Sequence, residues 1–326
     1  MRRAMLRFCI FLAFTLLSAG VHAQDYPNRP VRILVPYGPG GATDIIARIV
    51  AAKLTESLGQ TFLVENRPGA NGNIALEAAA KAPPDGYTLL VGNVSTNAIN
   101  ENTFAEQLKI KPSRDLVGIA KLVEIPHIVV ASASFPANNI AELVALAKKE
   151  PGKINFASVG MGSYPHLDAE RLMKAAGIQM THVPYKGGAG QAIPALIAGE
   201  VQLAFFNMAS LLPHIRSGKL KALAAIPTQR LPEIPNVATL AEQGYPGIGT
   251  NAWQGMFAPA ATPKPVVDKL HASVMAVLTR ADQKESLAKQ MMSVEVSKSP
   301  QEFTELVRRE TQAWGEFLKE ARIKID

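Results

Sequence analysis

Short apolar runs alternate with amphipathic stretches along nearly the whole chain, the rhythm of an α/β protein. Val31–Val35 predicts a strand, and residues 43–58 follow as a helix whose Ile45, Ile46, Ile49, Val50, Leu54 and Leu58 recur on one face. Strands are expected at 61–65 and 87–91, with a turn at 67–72 and an Ala-rich helix to Lys81 between them. A second set begins near Ile125. It has strands at 128–131, 154–157, 180–183, 201–205 and 220–225, and helices at 139–149, 163–176 and near 188–198. Residues 227–249 read as a long Pro- and Gly-rich connection with one short helix. A strand at 255–258 precedes two C-terminal helices. Thr262 before Pro263 reads as the cap of the first, and Ser299-Pro300-Gln301-Glu302 as a capping box opening the last.

The N-terminus has the composition of an export signal. Arg2, Arg3 and Arg7 precede an apolar run over 8–17, and Val21-His22-Ala23 fits a cleavage site before Gln24. That run is too short to cross a bilayer, which takes about 20 residues. Removing 23 of the 326 residues leaves a chain too large for one compact core and suited to two lobes. The single cysteine, Cys9, falls inside the signal, so the exported chain relies on apolar burial and not on disulfides. The formal net charge of +7 is spread along the sequence, and aromatic residues make up 6%. Nucleic-acid binding needs a concentrated basic footprint and is excluded. A mild positive balance suits steering of an anionic ligand.

Two glycine loops lie where a strand hands over to a helix: Val35-Pro36-Tyr37-Gly38-Pro39-Gly40-Gly41-Ala42-Thr43-Asp44, and Ser158-Val159-Gly160-Met161-Gly162-Ser163-Tyr164-Pro165-His166. Ligands of open α/β sheets sit at the carboxyl ends of strands. There the first N–H groups of the next helix lack internal partners and carry partial positive charge. Glycines let an anion approach them, although glycine also serves tight turns without any ligand. Neither loop completes a nucleotide-binding pattern. Candidate ligand contacts are Tyr37, Gly40, Gly41, Thr43 and Asp44 in the first loop and Ser158, Gly160, Gly162, Ser163 and His166 in the second. Asn93, Ser95, Thr96 and Asn207 join them at other strand ends. Thr43 and Asp44 read equally as a helix cap and first-turn charge, and His166 as a capping histidine.

Catalytic signatures are missing. The exported chain has no cysteine nucleophile, no H-E-x-x-H and no histidine cluster for a metal. Ser158 stands in a partial nucleophile-elbow pattern, but Phe156 occupies a position that needs glycine. His166 and Asp168, two apart at a helix start, point in different directions. An exported serine hydrolase acting through Ser158 on a small ester or amide is the alternative function, and no cofactor is expected.

Several stretches together resemble the Bug proteins, the extracytoplasmic solute receptors of tripartite tricarboxylate transporters. They are Tyr26-Pro27-Asn28-Arg29-Pro30, Pro36 to Gly41 with Asp44, and Val64 to Gly69 with Asn71-Gly72. Others are Pro84 to Tyr87, Ser158 to His166, His182 to Gly187, and Trp253 to Pro259. The resemblance implies a two-lobed, type II-like periplasmic binding protein, each lobe a mixed sheet flanked by helices, with two crossing hinge strands. It places the first lobe at 24–124 and 255–326 and the second at 125–254. It implies a monomer that traps a small carboxylate in the interlobe cleft for membrane permease subunits, without catalysis. The two glycine loops would be the carboxylate-binding elements. Position 37 departs from the family's usual phenylalanine.

Overall fold

The computed structural model describes residues 26–250 and 252–321. The export signal expected over 1–23 lies outside the described residues. The chain opens with β1 (Val31–Val35), α1 (Ala42–Leu58), β2 (Phe62–Asn66), α2 (Asn73–Ala80) and β3 (Thr88–Asn93). Short helices α3 (Asn100–Thr103) and α4 (Pro112–Asp115) lead into β4 (Leu116–Glu124). Then come β5 (His127–Ser132), α5 (Ile140–Lys149), β6 (Asn155–Ser158), α6 (Tyr164–Ala176) and β7 (Thr181–Pro184). They are followed by α7 (Ala189–Ala198), β8 (Leu203–Asn207), α8 (Met208–Arg216) and β9 (Leu220–Ala225). The chain closes with β10 (Trp253–Pro259), α9 (Lys264–Leu278), α10 (Ala281–Ala288), β11 (Ser293–Val294) and α11 (Pro300–Ala321).

These strands form two mixed sheets, one per lobe. The first lobe has six strands in the order β11-β4-β10-β3-β1-β2, and the second has five in the order β7-β6-β8-β5-β9. Strands β1 and β3 pair in parallel and are almost wholly buried, as strands covered by helices on both faces must be. On one face Ile46, Val50 and Leu54 of α1 pack with Val266, Leu270 and Val274 of α9. Each such side chain contributes about 1.5–3 kcal/mol when fully buried. The second lobe closes over Val129, Phe156 and Phe205, with Ile140 and Leu143 of α5 and Leu172 of α6.

The polypeptide passes between the sheets twice, from β4 to β5 and back into β10. The two passages run side by side, with the Ile125 N–H donating to the Ala252 carbonyl at 3.2 Å. Asp168 of α6, fully buried, anchors the return passage by accepting from the Thr250 hydroxyl at 2.8 Å and the Thr250 N–H at 3.2 Å.

Three local readings change. The cap of α9 falls on Pro263 and not on Thr262, whose hydroxyl is buried without a partner; Pro265 occupies the first turn instead. Residues 227–249 contain no helix, only turns and a bridge from Thr239 to Ala225, one turn being held by the Glu242 N–H donating to the Thr239 hydroxyl at 3.0 Å. Helix α8 stands where none was expected, because Pro213 interrupts its pattern. The capping box at α11 forms as expected on one side, the Glu302 N–H donating to the Ser299 hydroxyl at 3.1 Å. On the other side the Glu302 carboxylate accepts from the Lys298 N–H and not from Ser299.

Candidate functional site

The first glycine loop is shaped by Asp44. Its carboxylate accepts from the Gly40 N–H at 3.0 Å, from Asn66 Nδ2 at 2.9 Å and from Arg48 Nη2 at 2.9 Å. Burial pushes this carboxyl up, but the hydrogen bonds from Arg48, Asn66 and Gly40 outweigh it and hold the group below the ordinary aspartate value. Asp44 is thereby turned back onto its own loop. Gly40 sits at φ +86°, a conformation that favours glycine and brings its N–H within reach of that carboxylate.

Helix α1 then starts without a side-chain cap at Gly41. Its first intrahelical bond runs from the Ile45 N–H to the Gly41 carbonyl at 3.0 Å. The N–H groups of Ala42, Thr43 and Asp44 therefore have no acceptor inside the helix. A side chain at Gly41 would point toward Ala189 of the opposite lobe, its Cβ 3.8 Å from that of Ala189.

A polar chain runs beneath this turn. The Tyr37 hydroxyl donates to Asn93 Oδ1 at 3.3 Å, Asn93 Nδ2 to the Thr43 hydroxyl at 3.4 Å, and the Thr43 hydroxyl to Gln254 Oε1 at 2.8 Å. Gln254 Nε2 is buried without a partner. Asn93 Oδ1 also accepts from the Thr96 N–H at 3.2 Å, fixing the turn after β3. Burial raises the Tyr37 phenol above its ordinary value, against the hydrogen bonds with Asn93 and Ser95.

The second loop satisfies most of its own amides. The Gly160 N–H donates to the Ser158 hydroxyl at 3.0 Å, the Gly162 N–H to His166 Nδ1 at 3.1 Å, and the Ser163 N–H to the Gly160 carbonyl at 3.2 Å. Ser163 adds a hydroxyl bond to that carbonyl at 2.6 Å. Ser158 is fully buried and lies 2.6 Å from His182 Nε2 on the neighbouring strand β7. The His166 ring stacks on His182 with centroids 4.1 Å apart. Burial pulls the His182 imidazole down to about 3, with the His166 ring pushing the same way, so His182 is neutral near neutral pH. The Tyr164 hydroxyl donates to Asn207 Oδ1, at the carboxyl end of β8.

The two loops meet. The Gly38 N–H donates to the Gly187 carbonyl at 3.0 Å, Asn71 Nδ2 to the Met161 carbonyl at 3.2 Å, and the Tyr164 N–H to the Ser95 hydroxyl at 3.0 Å. Tyr37, although on the first lobe, packs into the apolar cluster of the second with Phe206 and Met208. Gly160 approaches so closely that a Cβ there would lie 2.6 Å from Asn71 Oδ1. The fourteen expected residues thus belong to strand ends, loops and the first turns of the helices that follow them: Thr43 and Asp44 open α1, His166 lies in the first turn of α6, and Ser95 and Thr96 open a helical turn after β3. Sequence reasoning overlooked Tyr164 and Asn71 as cross-lobe contacts, and Gln254 and His182 as partners of Thr43 and Ser158. A separate cavity of about 460 Å³ borders the crossing passages, lined by His127, Tyr245 and Thr250 among others, and none of the fourteen residues lines it. Among the described residues, no group of three or more His, Cys, Asp or Glu side chains is placed to hold a metal.

Two α/β lobes joined by paired crossing strands, with uncapped helix amides at the rim between them, define a clamshell-type binding protein. Residues 46–323 match the model of the tripartite tricarboxylate transporter family receptor, and the chain belongs to that family. It is similar to protein BugT of Bordetella pertussis, 34% identical over 325 residues that cover 100% of this chain and 99% of the relative. An R. palustris protein solved with adipate superposes with a TM-score of 0.87 at 32% identity, covering 92% of this chain and 99% of that one. MatC from Rhodopseudomonas palustris, solved with bound malate, gives 0.84 at 33% identity, covering 89% and 99%.

Proposed function

We propose that this receptor captures a small carboxylate between its lobes and delivers it, unaltered, to the membrane permease subunits of a tripartite transporter. The observation that carries the reading is the uncapped start of α1, where the amides of Ala42, Thr43 and Asp44 follow Gly41, the residue that faces Ala189 of the opposite lobe. A carboxylate supplies the acceptors and negative charge such a turn favours. Adipate and malate in the two R. palustris neighbours support an acid of that size. Asp44 and Gly40 shape the loop, Thr43 and Asn93 brace it, and Ser95 meets the second lobe. Tyr37, Thr96, Ser158, Gly160, Gly162, Ser163, His166 and Asn207 form the remaining walls. The lobes divide at 124/125 and 254/255. The chain acts in the periplasm as a monomer after loss of residues 1–23.

The pairing of Ser158 with His182 gives the hydrolase reading its one specific support. Ser158 is fully buried, its hydroxyl already bonded to the Gly160 carbonyl at 2.9 Å. A nucleophile needs an exposed oxygen and a base oriented by a third group, so a binding role is the better account.

The test uses protein purified from the periplasm, with the N-terminal mass read to locate the cleavage. Thermal shift and calorimetry against dicarboxylates, aromatic acids and amino acids are expected to show saturable binding of an acid, with no turnover of nitrophenyl esters. Gly41→Val should abolish that binding while leaving the fold intact. Ester turnover lost in Ser158→Ala would replace the receptor by the hydrolase.

A further inference from the structure

The crossing passages separate the glycine-loop residues from a second cavity. In the first-lobe sheet those residues follow β1 and β3, whereas the cavity touches Glu124 of β4 and Ser293 of β11, toward the other edge. In the second-lobe sheet they follow β6 and β8, whereas the cavity touches His127, where β5 begins, and Ile226, just past the end of β9. Its volume of about 460 Å³ suits a small organic molecule. Both lobes and both passages supply its walls, Thr250 of the return passage among them, so its shape changes whenever the lobes rotate.

The walls have a definite chemistry. No lysine or arginine is among the described residues lining the cavity, and its one carboxylate, Glu124, is ion-paired with Lys121. A charged occupant would lose hydration without gaining a free counter-charge. Ile125, Ile226 and Ile248 give apolar faces, and Tyr245 an aromatic one. His127 supplies the polar point. It is 1% exposed, and neither ring nitrogen has a hydrogen-bond partner in the chain. Its ring stacks on Tyr164 with centroids 4.4 Å apart, and the Asp168 carboxylate stands 3.9 Å from Nδ1, too far for a hydrogen bond. Buried nitrogens left unpaired are unfavourable, and a ligand that pairs one relieves that. A hydroxyl both donates and accepts, so it matches an imidazole nitrogen in either tautomer.

We propose that this hinge cavity is a second binding site, for an uncharged aromatic alcohol, and that filling it favours the closed form. The hydroxyl pairs with His127 and the ring lies against Tyr245 and the isoleucines. The cavity has this shape while the glycine loops touch, the Gly38 N–H on the Gly187 carbonyl at 3.0 Å. An occupant that fits it binds that form better than an open one, and by linkage strengthens capture of an acid in the cleft. The site stands apart from the carboxylate-receptor reading, and only its coupling to the cleft rests on that reading.

The test is fluorine NMR titration of the periplasmic protein with 4-fluorobenzyl alcohol, 4-fluorobenzylamine and 4-fluorobenzoate. Wild type is compared with Ala241→Trp, which puts a bulky ring at an exposed position of the cavity wall, and with His127→Phe, which keeps a ring against Tyr164 and removes both nitrogens. Thermal melting checks folding. The alcohol should bind wild type saturably, and roughly tenfold or more tightly than the amine. Ala241→Trp should abolish alcohol binding, and His127→Phe should weaken it about two- to tenfold, the loss of one hydrogen bond. Any binding of the benzoate should survive Ala241→Trp, because an acid belongs in the cleft. Adipate affinity, read by calorimetry, should rise roughly fivefold or more under saturating alcohol, and Ala241→Trp should remove the rise.

Alcohol binding that is absent, or that persists unchanged in Ala241→Trp, overturns the site. Should Ala241→Trp fail to fold, unchanged alcohol affinity in His127→Phe overturns it instead. Adipate binding unmoved by the alcohol overturns the coupling and leaves the receptor reading standing. Failure of adipate and every other acid to bind counts against the receptor reading alone, and the alcohol titration still decides the cavity.

Discussion

The guanidinium of Arg171, on α6 of the second lobe, lies 4.0 Å from the ring centre of Phe317, on α11 of the first. It also covers Trp314 at 5.0 Å, while Asp168 stands 3.7 Å from its Nη1. Burial lowers the Arg171 guanidinium below its ordinary value and the Asp168 carboxylate opposes that. A partly desolvated cation over an aromatic face is worth about 0.5–2 kcal/mol. This contact bridges the two lobes, from α6 of one to α11 of the other. It is expected to act as a latch that holds the lobes together.

Arg171→Ala should shift unliganded protein toward the open form. Small-angle scattering would show a larger radius of gyration, and ligand affinity should fall by roughly two- to thirtyfold, the factor equivalent to losing that contact. Unchanged scattering and affinity would remove the latch from the account.

Asp44 accepts bonds from three residues and is 3% exposed, whereas the Arg48 side chain is half exposed. Asp44→Asn leaves the Gly40 N–H and Arg48 with a poorer acceptor and should lower stability by about 1–3 kcal/mol. Most of that loss belongs to the buried bonds, since the Arg48 pair is screened by solvent. Ligand affinity should fall with it, and Arg48→Ala should reproduce a smaller version of both effects. If Asp44→Asn destroyed binding while Arg48→Ala changed neither stability nor affinity, Asp44 would be a direct ligand contact and not a loop organiser.

His182 gives the acid side of the stability profile a definite sign. The folded chain holds its imidazole down to about 3, against 6.5 ordinarily. Facing it are the stacked His166 ring, the Ser158 hydroxyl and the Phe156 ring, with Glu170 3.5 Å from His166 Nε2. Between those two values the unfolded chain binds a proton that the folded chain refuses, so stability falls as pH drops through that window. Melting curves of His182→Gln should show a shallower acid loss than wild type. An identical loss would place the acid sensitivity elsewhere.

The fold was legible where one helix face repeats. Ile46, Val50 and Leu54 recur at helical spacing, and all three are fully buried. Strand β4 escaped reading because Gly118 and Lys121 interrupt its apolar run; Gly118 is kept bare by Phe303, whose ring would lie 2.6 Å from a Cβ there. At the site, the glycine loops announce themselves through composition, but their bracing does not. Thr43 bonds Gln254, 211 positions away, and Ser158 meets His182 only because β6 and β7 are neighbours. The expectation of equal amide cradles from both lobes also shifts. The second loop spends its amides on Ser158, His166, Gly160 and Ser95. Of the two glycine loops, the one before α1 leaves three successive helix amides without an acceptor inside the helix, an asymmetry that depends on side-chain rotamers invisible in a string of letters.

A crystal structure of the periplasmic protein with its tightest-binding acid tests the central claim most directly. Carboxylate oxygens are expected roughly 3 Å from the backbone nitrogens of Ala42, Thr43 and Asp44, a normal hydrogen-bond distance. An acid lodged in the cavity beside the crossing passages, with those three amides bonded only to water, would contradict it.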